Sequence, residues 1–205
     1  MEDWIIWMME QFGYLGVYAL MAIENLFPPI PSEVILPLSG FMTVRTDLTI
    51  TSVIIYATTG SLTGSLLLYG IGMSISRDKL EEWVERHGKY VRLTKADVNK
   101  AFHWFETYGY WAIFFCRMLP LVRSFISIPA GMARFSIVPF LFLTFSGSLI
   151  WNTALIYTGA ILGDSWRDIV HYMKVYSLWT YVIIVVVAFL TIWWMRKGKG
   201  IRLWR

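Results

Sequence analysis

Four charged side chains stand where the chain is otherwise apolar: Glu24, Glu33, Arg117 and Arg123. A central glutamate or arginine costs roughly 2.5–3.5 kcal/mol on the membrane-insertion scale, so four unpaired ones would cost on the order of 10–14 kcal/mol. That equals the whole stability of a typical domain. Two acids and two bases sharing one hydrated cavity at mid-membrane carry no net charge, which offsets the cost. Such a cluster also has a chemistry. A guanidinium presents a planar fork that takes phosphate through paired hydrogen bonds. Arg117 and Arg123 flank Pro120, and Ser124 and Ser127 add hydroxyl donors, so this run is expected to bind a phosphate. An entering anion upsets the charge balance and favours protons on Glu24 and Glu33, which would link transport to proton uptake. A static ion-pair network that only locks two segments together is the alternative.

Both charge pairs lie in stretches broken by proline. Residues 24–40 read ENLFPPIPSEVILPLSG, with Pro28, Pro29, Pro31 and Pro37. Proline removes a backbone donor and drives the residue before it out of the helical region. No continuous helix is expected through residues 28–31. Non-helical backbone survives at membrane depth only where protein or a watery cavity satisfies it, so residues 24–41 are read as a re-entrant hairpin. Residues 110–132, YWAIFFCRMLPLVRSFISIPAGM, carry Pro120 and Pro129 and form the second such stretch. Pro29 and Pro120 stand 91 residues apart, as do Gly40 and Gly131, and Gly-Tyr pairs at 13–14 and 109–110 precede the two stretches. Paired, interrupted apolar segments are the mark of an inverted-repeat transporter with its site between them.

The rest of the chain supplies the membrane frame. Of 205 residues, 57% are hydrophobic and 16% charged, against about 25% charged in soluble domains. The chain is read as one integral membrane domain, residues 1–205, with its Trp, Tyr and Phe forming interfacial belts. Its one cysteine, Cys116, excludes an intrachain disulfide and a multi-cysteine metal site, and no cofactor is expected. The acidic start lacks the basic region of a signal peptide. Trp4–Ile23 is apolar apart from Glu10 and Gln11, and either spans the bilayer or lies in its interface. Residues 51–75 are uncharged and long enough to cross. Their Gly60 and Gly64 form a small-xxx-small step that serves close packing within the chain or a homodimer. Residues 77–107 hold seven Lys/Arg and six Asp/Glu at amphipathic spacing. They read as two helices on the membrane surface, the second opened by Thr94 and Asp97, with His87 and His103 solvated. Residues 135–163 and 175–195 are further uncharged spans, and the tail at 196–205 holds five Lys/Arg and no acid. Residues 77–107 and the tail together carry 12 of the 18 Lys/Arg. The positive-inside rule places both, and so the C-terminus, in the cytoplasm, with the two hairpins entering from opposite faces. The net charge of +4 reads as a cytoplasmic anchor rather than a nucleic-acid surface.

With those residues in hand, the chain resembles the bacterial DedA family of membrane proteins. Glu24 with PPIPSE (Pro28–Glu33) and Gly40 resembles its first signature. The run F-x-x-R-x-x-P-x-x-R-S-x-x-S-x-P-A-G, from Phe114 to Gly131, resembles its second, and Gly147 and Trp151 fit its later pattern. A more distant similarity reaches the eukaryotic VTT-domain scramblases. The resemblance implies an all-α integral membrane fold of inverted-repeat type. It has two opposed, proline-broken re-entrant hairpins, transmembrane helices and amphipathic surface helices. It implies functional acids and arginines at the positions named, and a role in envelope lipid homeostasis at the cytoplasmic membrane. Some members recycle undecaprenyl phosphate; others are tied to phospholipid movement, membrane potential or drug resistance.

The first expectation is therefore a proton-coupled flippase for a polyprenyl phosphate or another anionic lipid. In that reading Arg117, Arg123, Ser124 and Ser127 hold the head group and Glu24 and Glu33 take protons. Pro28, Pro29, Pro31, Gly40, Pro120, Pro129 and Gly131 shape the hairpins. A phospholipid scramblase and a proton-coupled small-solute transporter are the alternatives. A phosphatase needs a nucleophile beside the arginines, and His87, His103 and His171 lie outside both hairpins. No HExxH motif or Gly-rich phosphate loop is present, so no enzyme is expected.

Overall fold

An apolar chain must satisfy its backbone internally, and a helix does so within one segment. Among the described residues every regular element is a helix: α1 Glu2–Phe12, α2 Tyr14–Leu26, α3 Ser32–Arg45, α4 Ile50–Ser74, α5 Lys95–Cys116, α6 Val122–Phe125, α7 Ser127–Met132 and α8 Ile137–Leu162. The structure, a computed structural model, describes residues 2–27, 32–75, 80, 82, 84–86, 95–119 and 122–163. The expectations for Pro28, Pro29, Pro31, Pro120, His87, Thr94, His171, the 175–195 span and the basic tail fall outside the described residues.

Two of the three uncharged stretches, 51–75 and 135–163, form α4 and α8, each long and apolar enough to cross a membrane. Thr49 opens α4, its hydroxyl accepting from the Ser52 amide at 3.4 Å. Pro139 sits in the first turn of α8, where a missing amide donor costs nothing.

Three boundaries differ from the sequence reading. Residues 4–23 are not one helix. Gly13 adopts φ +52° and turns the chain between α1 and α2, a conformation that L side chains rarely reach. Neither the 11-residue α1 nor the 13-residue α2 is long enough to cross alone. The proline-rich break comes later than Glu24: α2 stays helical to Leu26, and Pro37 is accommodated inside α3. Lastly, α5 runs unbroken through 107–110, so the amphipathic segment and the first turns of the second interrupted stretch are one helix. Only Gly109 opposes helix there, at about 1 kcal/mol, and no proline intervenes before Pro120. The irregular backbone is thereby confined to the segment around α6 and α7.

Glycine contacts set the packing. A Cβ at Gly40 of α3 would meet the Ile156 carbonyl of α8, and one at Gly159 of α8 would meet the Pro37 carbonyl of α3. The same reciprocal contact recurs between α4 and α7: Gly131 lies against the Tyr69 carbonyl and Gly72 against that of Ile128. Gly60 on α4 faces the Tyr18 carbonyl of α2, and Gly147 on α8 faces the Phe114 carbonyl of α5. The α4 and α8 glycines correspond at a constant offset of 87 residues, Gly60 with Gly147 and Gly72 with Gly159. Gly64 meets the Ala22 carbonyl, so the small-xxx-small step of α4 is used within the chain, against α2. Below these contacts Val17, Leu20, Ile35, Leu36, Val53 and Ile156 form the main apolar core. The Tyr69 hydroxyl donates to the Phe135 carbonyl at 2.6 Å and ties down the turn after α7.

Two glycines two residues apart on α4, and so on different faces of it, should therefore respond oppositely to alanine. Gly72→Ala would drive a methyl group into the Ile128 carbonyl oxygen. It is expected to destabilise by about 1–3 kcal/mol, the usual range for overpacking. Gly70 has nothing within 4 Å of its built Cβ, and Gly70→Ala should be neutral or stabilising by up to about 1 kcal/mol from helix propensity. Thermal melts of the two variants in detergent test this.

Candidate functional site

The four charges of the sequence reading are all buried: Glu24, Glu33, Arg117 and Arg123 expose 6% or less of their surface. Two of them meet directly. Arg123, on the four-residue α6, donates from Nη2 to Glu24 Oε2 of α2 at 2.6 Å, across 99 residues of sequence. Glu33 stands in the first turn of α3, within electrostatic range of Glu24. Among the described residues no hydrogen bond or ion pair engages its carboxylate. The four lie as one contact pair with two flanking charges.

Arg117 takes a different part from the one its type predicted. Its four terminal N–H groups are all spent on neutral acceptors. Nη1 donates to Ser65 Oγ at 2.7 Å and to the Arg123 carbonyl at 2.9 Å. Nη2 donates to Ser127 Oγ and Thr144 Oγ1, each at 3.0 Å. The guanidinium also lies 5.8 Å over the Phe140 ring, a cation–π contact. Its stem passes Gly147, where a Cβ would stand 2.9 Å from the Arg117 Cβ. Gly147 is thus the gap that admits the arginine. Arg117 has no fork left to offer a ligand. Only Nε, buried and without a partner, remains.

The serines divide in the same way. Ser127 is an acceptor for Arg117. Ser124 Oγ, beside Arg123, is buried with no hydrogen-bond partner. Among the described residues, no acceptor engages Nε or Nη1 of Arg123 either. Among the described residues the unspent donors include Arg117 Nε, Ser124 Oγ, Ser61 Oγ and one edge of Arg123, groups that suit an anion with several oxygens. A buried donor without a partner costs about 1–3 kcal/mol, and Arg117 Nε and Ser124 Oγ are two such atoms. Pro129 falls in the first turn of α7, and Gly40 and Gly131 serve as close-approach points rather than as hinges.

Sequence reasoning missed the neutral members. Asn25 donates from Nδ2 to Glu24 Oε2 and to the Met21 carbonyl at 3.3 and 3.0 Å. Ser65 Oγ reaches Asn25 Oδ1 at 3.3 Å, and Thr144 caps Arg117. Farther along, Asn152 Nδ2 donates to Thr58 Oγ1 at 3.2 Å. The one signal was spacing. Thr58, Ser61 and Ser65 recur on one face of α4, and Thr144, Ser148 and Asn152 on one face of α8, all buried. His103 is exposed, 3.8 Å from Glu106, and outside this cluster. Among the described residues no group of three or more His, Cys, Asp or Glu is placed to hold a metal.

Residues 30–161 match the VTT domain. The chain is 50% identical over 193 residues to an "Alkaline phosphatase-like protein" of Lactococcus lactis, covering 94% of this chain and 90% of the relative. It is 38% identical over 203 residues to "Undecaprenyl phosphate transporter A" of Staphylococcus aureus, covering 98% and 100%. It is 29% identical over 195 residues to "Undecaprenyl phosphate transporter A" of Bacillus subtilis, covering 95% and 93%. No solved structure matches it.

Breaking the buried pair from one side leaves a charge stranded. Glu24→Ala or Arg123→Ala should each cost about 3–5 kcal/mol, while Glu24→Met combined with Arg123→Met should cost markedly less than their sum. Unfolding of the three variants in detergent measures the difference.

Proposed function

The chain belongs to the VTT-domain (DedA) family, and on that premise we propose that it carries a polyprenyl phosphate across the cytoplasmic membrane together with a proton. The observation that carries this reading is the Glu24–Arg123 pair, buried at 2.6 Å, together with Arg117 Nε and Ser124 Oγ, buried donors that no described residue satisfies. A lipid phosphate entering here exchanges for the Glu24 carboxylate on Arg123. It takes Arg123 through its fork, and Ser124 Oγ and Arg117 Nε as further donors. Arg117 and Ser127 hold the floor of the site. Its isoprenoid tail stays in the surrounding lipid.

The exchange frees the Glu24 carboxylate beside Glu33, whose negative charge disfavours a second ionised acid nearby. Glu24 takes up a proton, and the gradient thereby gains a hold on the step that releases Arg123. The frame suits alternating access. The reciprocal glycine contacts and the constant 87-residue offset support an inverted repeat, with α4 and α8 as counterparts and the two interrupted segments entering from opposite faces. The basic residues of 77–107 and the tail favour a multi-pass chain with both on the cytoplasmic side.

A second reading comes from the name of the lactococcal relatives, which puts phosphate chemistry beside phosphate transport. One preparation separates them. Proteoliposomes containing polyprenyl phosphate are assayed for exposure of the head group to an impermeant reagent, with and without a pH gradient, and for inorganic phosphate released. Gradient-driven exposure without phosphate release is expected. Release of phosphate would make the chain a phosphatase, and gradient-independent movement of ordinary phospholipids would make it a scramblase. Arg123→Ala should abolish movement. Head-group binding should tighten as pH falls, because protonated Glu24 no longer competes for Arg123. Glu24→Gln should hold binding at its acid-side level at every pH.

A further inference from the structure

The charged centre closes into a hydrogen-bonded ring. Arg123 Nη2 donates to Glu24 Oε2 at 2.6 Å, and the Arg123 carbonyl accepts from Arg117 Nη1 at 2.9 Å. The same Nη1 donates to Ser65 Oγ at 2.7 Å, Ser65 reaches Asn25 Oδ1 at 3.3 Å, and Asn25 Nδ2 returns to Glu24 Oε2 at 3.3 Å. All five residues expose 5% of their surface or less. Three separate parts of the chain meet in it: α2, α4 and the segment from Arg117 to α6.

We propose that Asn25 and Ser65 are a positioning pair that transmits the charge state of Glu24 to Arg117, a reading that rests on the transport proposed above. The chemistry of each atom fixes its direction. Both hydrogens of Asn25 Nδ2 are used, on the Met21 carbonyl and on Glu24. Oδ1 is left as an acceptor, and the Ser65 hydroxyl is its donor. Ser65 has one hydrogen and two acceptors in reach, Asn25 Oδ1 at 3.3 Å and the Ser61 carbonyl at 2.7 Å. It can serve only one at a time, while a lone pair receives Arg117. An ionised Glu24 holds the Asn25 amide with its nitrogen toward the carboxylate and its oxygen toward Ser65. A protonated Glu24 loosens that hold. The Ser65 hydrogen then falls to the Ser61 carbonyl, and the oxygen that receives Arg117 turns with it. The charged groups facing Glu24 are Arg123 and Arg117 from the second interrupted segment and Glu33 from α3. The α4 helix carries no charged side chain, and Ser65 is its member of this ring. Asn25 and Ser65 are therefore the neutral path by which the acid is felt at the far arginine.

The test is the pH profile of head-group movement in proteoliposomes of defined phospholipid with polyprenyl phosphate, for the full chain and for Asn25→Leu, Ser65→Ala and the double variant. Asn25→Leu removes a donor to the ionised carboxylate, which favours the protonated form. The midpoint should move to higher pH by about one unit, the worth of one hydrogen bond to a charged group. Ser65→Ala should move it in the same direction. The double variant should move no further than Asn25→Leu, because both cut one line. Ser65→Ala keeps full helix propensity and carries the test should Asn25→Leu fail to fold. Unmoved midpoints, additive shifts in the double variant, or loss of movement at every pH in a normally melting Ser65→Ala protein would overturn the pairing and leave the transport reading standing. A wild-type chain that moves no head group would overturn that reading itself.

Discussion

One ion pair joins the two halves of this chain. Glu24 and Arg123 lie 99 residues apart and meet at 2.6 Å in a region with almost no access to water. In such a place Coulomb attraction is strong, and so is the cost of leaving either charge alone. The pair therefore constrains everything around it. The chain stays helical as far as Leu26 to deliver Glu24, and α3 brings Glu33 within electrostatic range of it. Residues 117–119 leave the helical line of α5, and Arg123 meets Glu24 of α2 from α6. Arg117 helps by holding the carbonyl of Arg123 itself, at 2.9 Å. One arginine makes the salt bridge and the other sets the backbone that carries it.

The pair could not form if the helices stood at ordinary separation. Glycines remove side chains at each crossing, so that carbonyls of one helix lie against the Cα of the next. The pattern is crossed. The α3 segment, from the first interrupted stretch, rests on α8, and α7, from the second, rests on α4. Each interrupted stretch is thus supported by the long helix of the other half. The same economy of space explains Gly147, whose missing side chain admits the Arg117 stem. Glycine frequency in an apolar chain carries little information by itself. Its register against particular carbonyls carries much more, and that register was visible only once the helices were placed.

Charge and proline were legible in the sequence because both are expensive in lipid. Their cost drew the eye to Glu24, Arg117 and Arg123, and the uncharged runs bounded α4 and α8 to within two residues. What stayed hidden was cheap. Gly13 looked like any glycine until its φ of +52° divided residues 4–23 into two short helices. The α5 helix crossed a change in composition because its backbone had no reason to stop there. Asn25, Ser65 and Thr144 are small, neutral and common in membrane helices, yet Ser65 and Thr144 receive Arg117 and Asn25 donates to the carboxylate that holds Arg123. Arg117 shows the limit most plainly. A guanidinium in an apolar stretch announces a partner, but not that four neutral acceptors already occupy it.

The regular 87-residue spacing of the frame contrasts with the distribution of its charges. The α4 and α8 glycines correspond, and so do buried Ser61 with Ser148 and Ser65 with Asn152, at the same offset of 87 residues. Yet both acids come from the first interrupted stretch and both arginines from the second. A two-fold arrangement of identical halves would have set like charges against like. Placing one sign on each side turns the interface into an attraction, and concentrates it in one contact pair. On the proposed reading this has a mechanical consequence. An anion that takes Arg123 does more than fill a site: it competes for the bond that holds the halves together, and a proton on Glu24 weakens the same bond. Substrate and proton then act on a single joint, which is the least a coupled carrier requires.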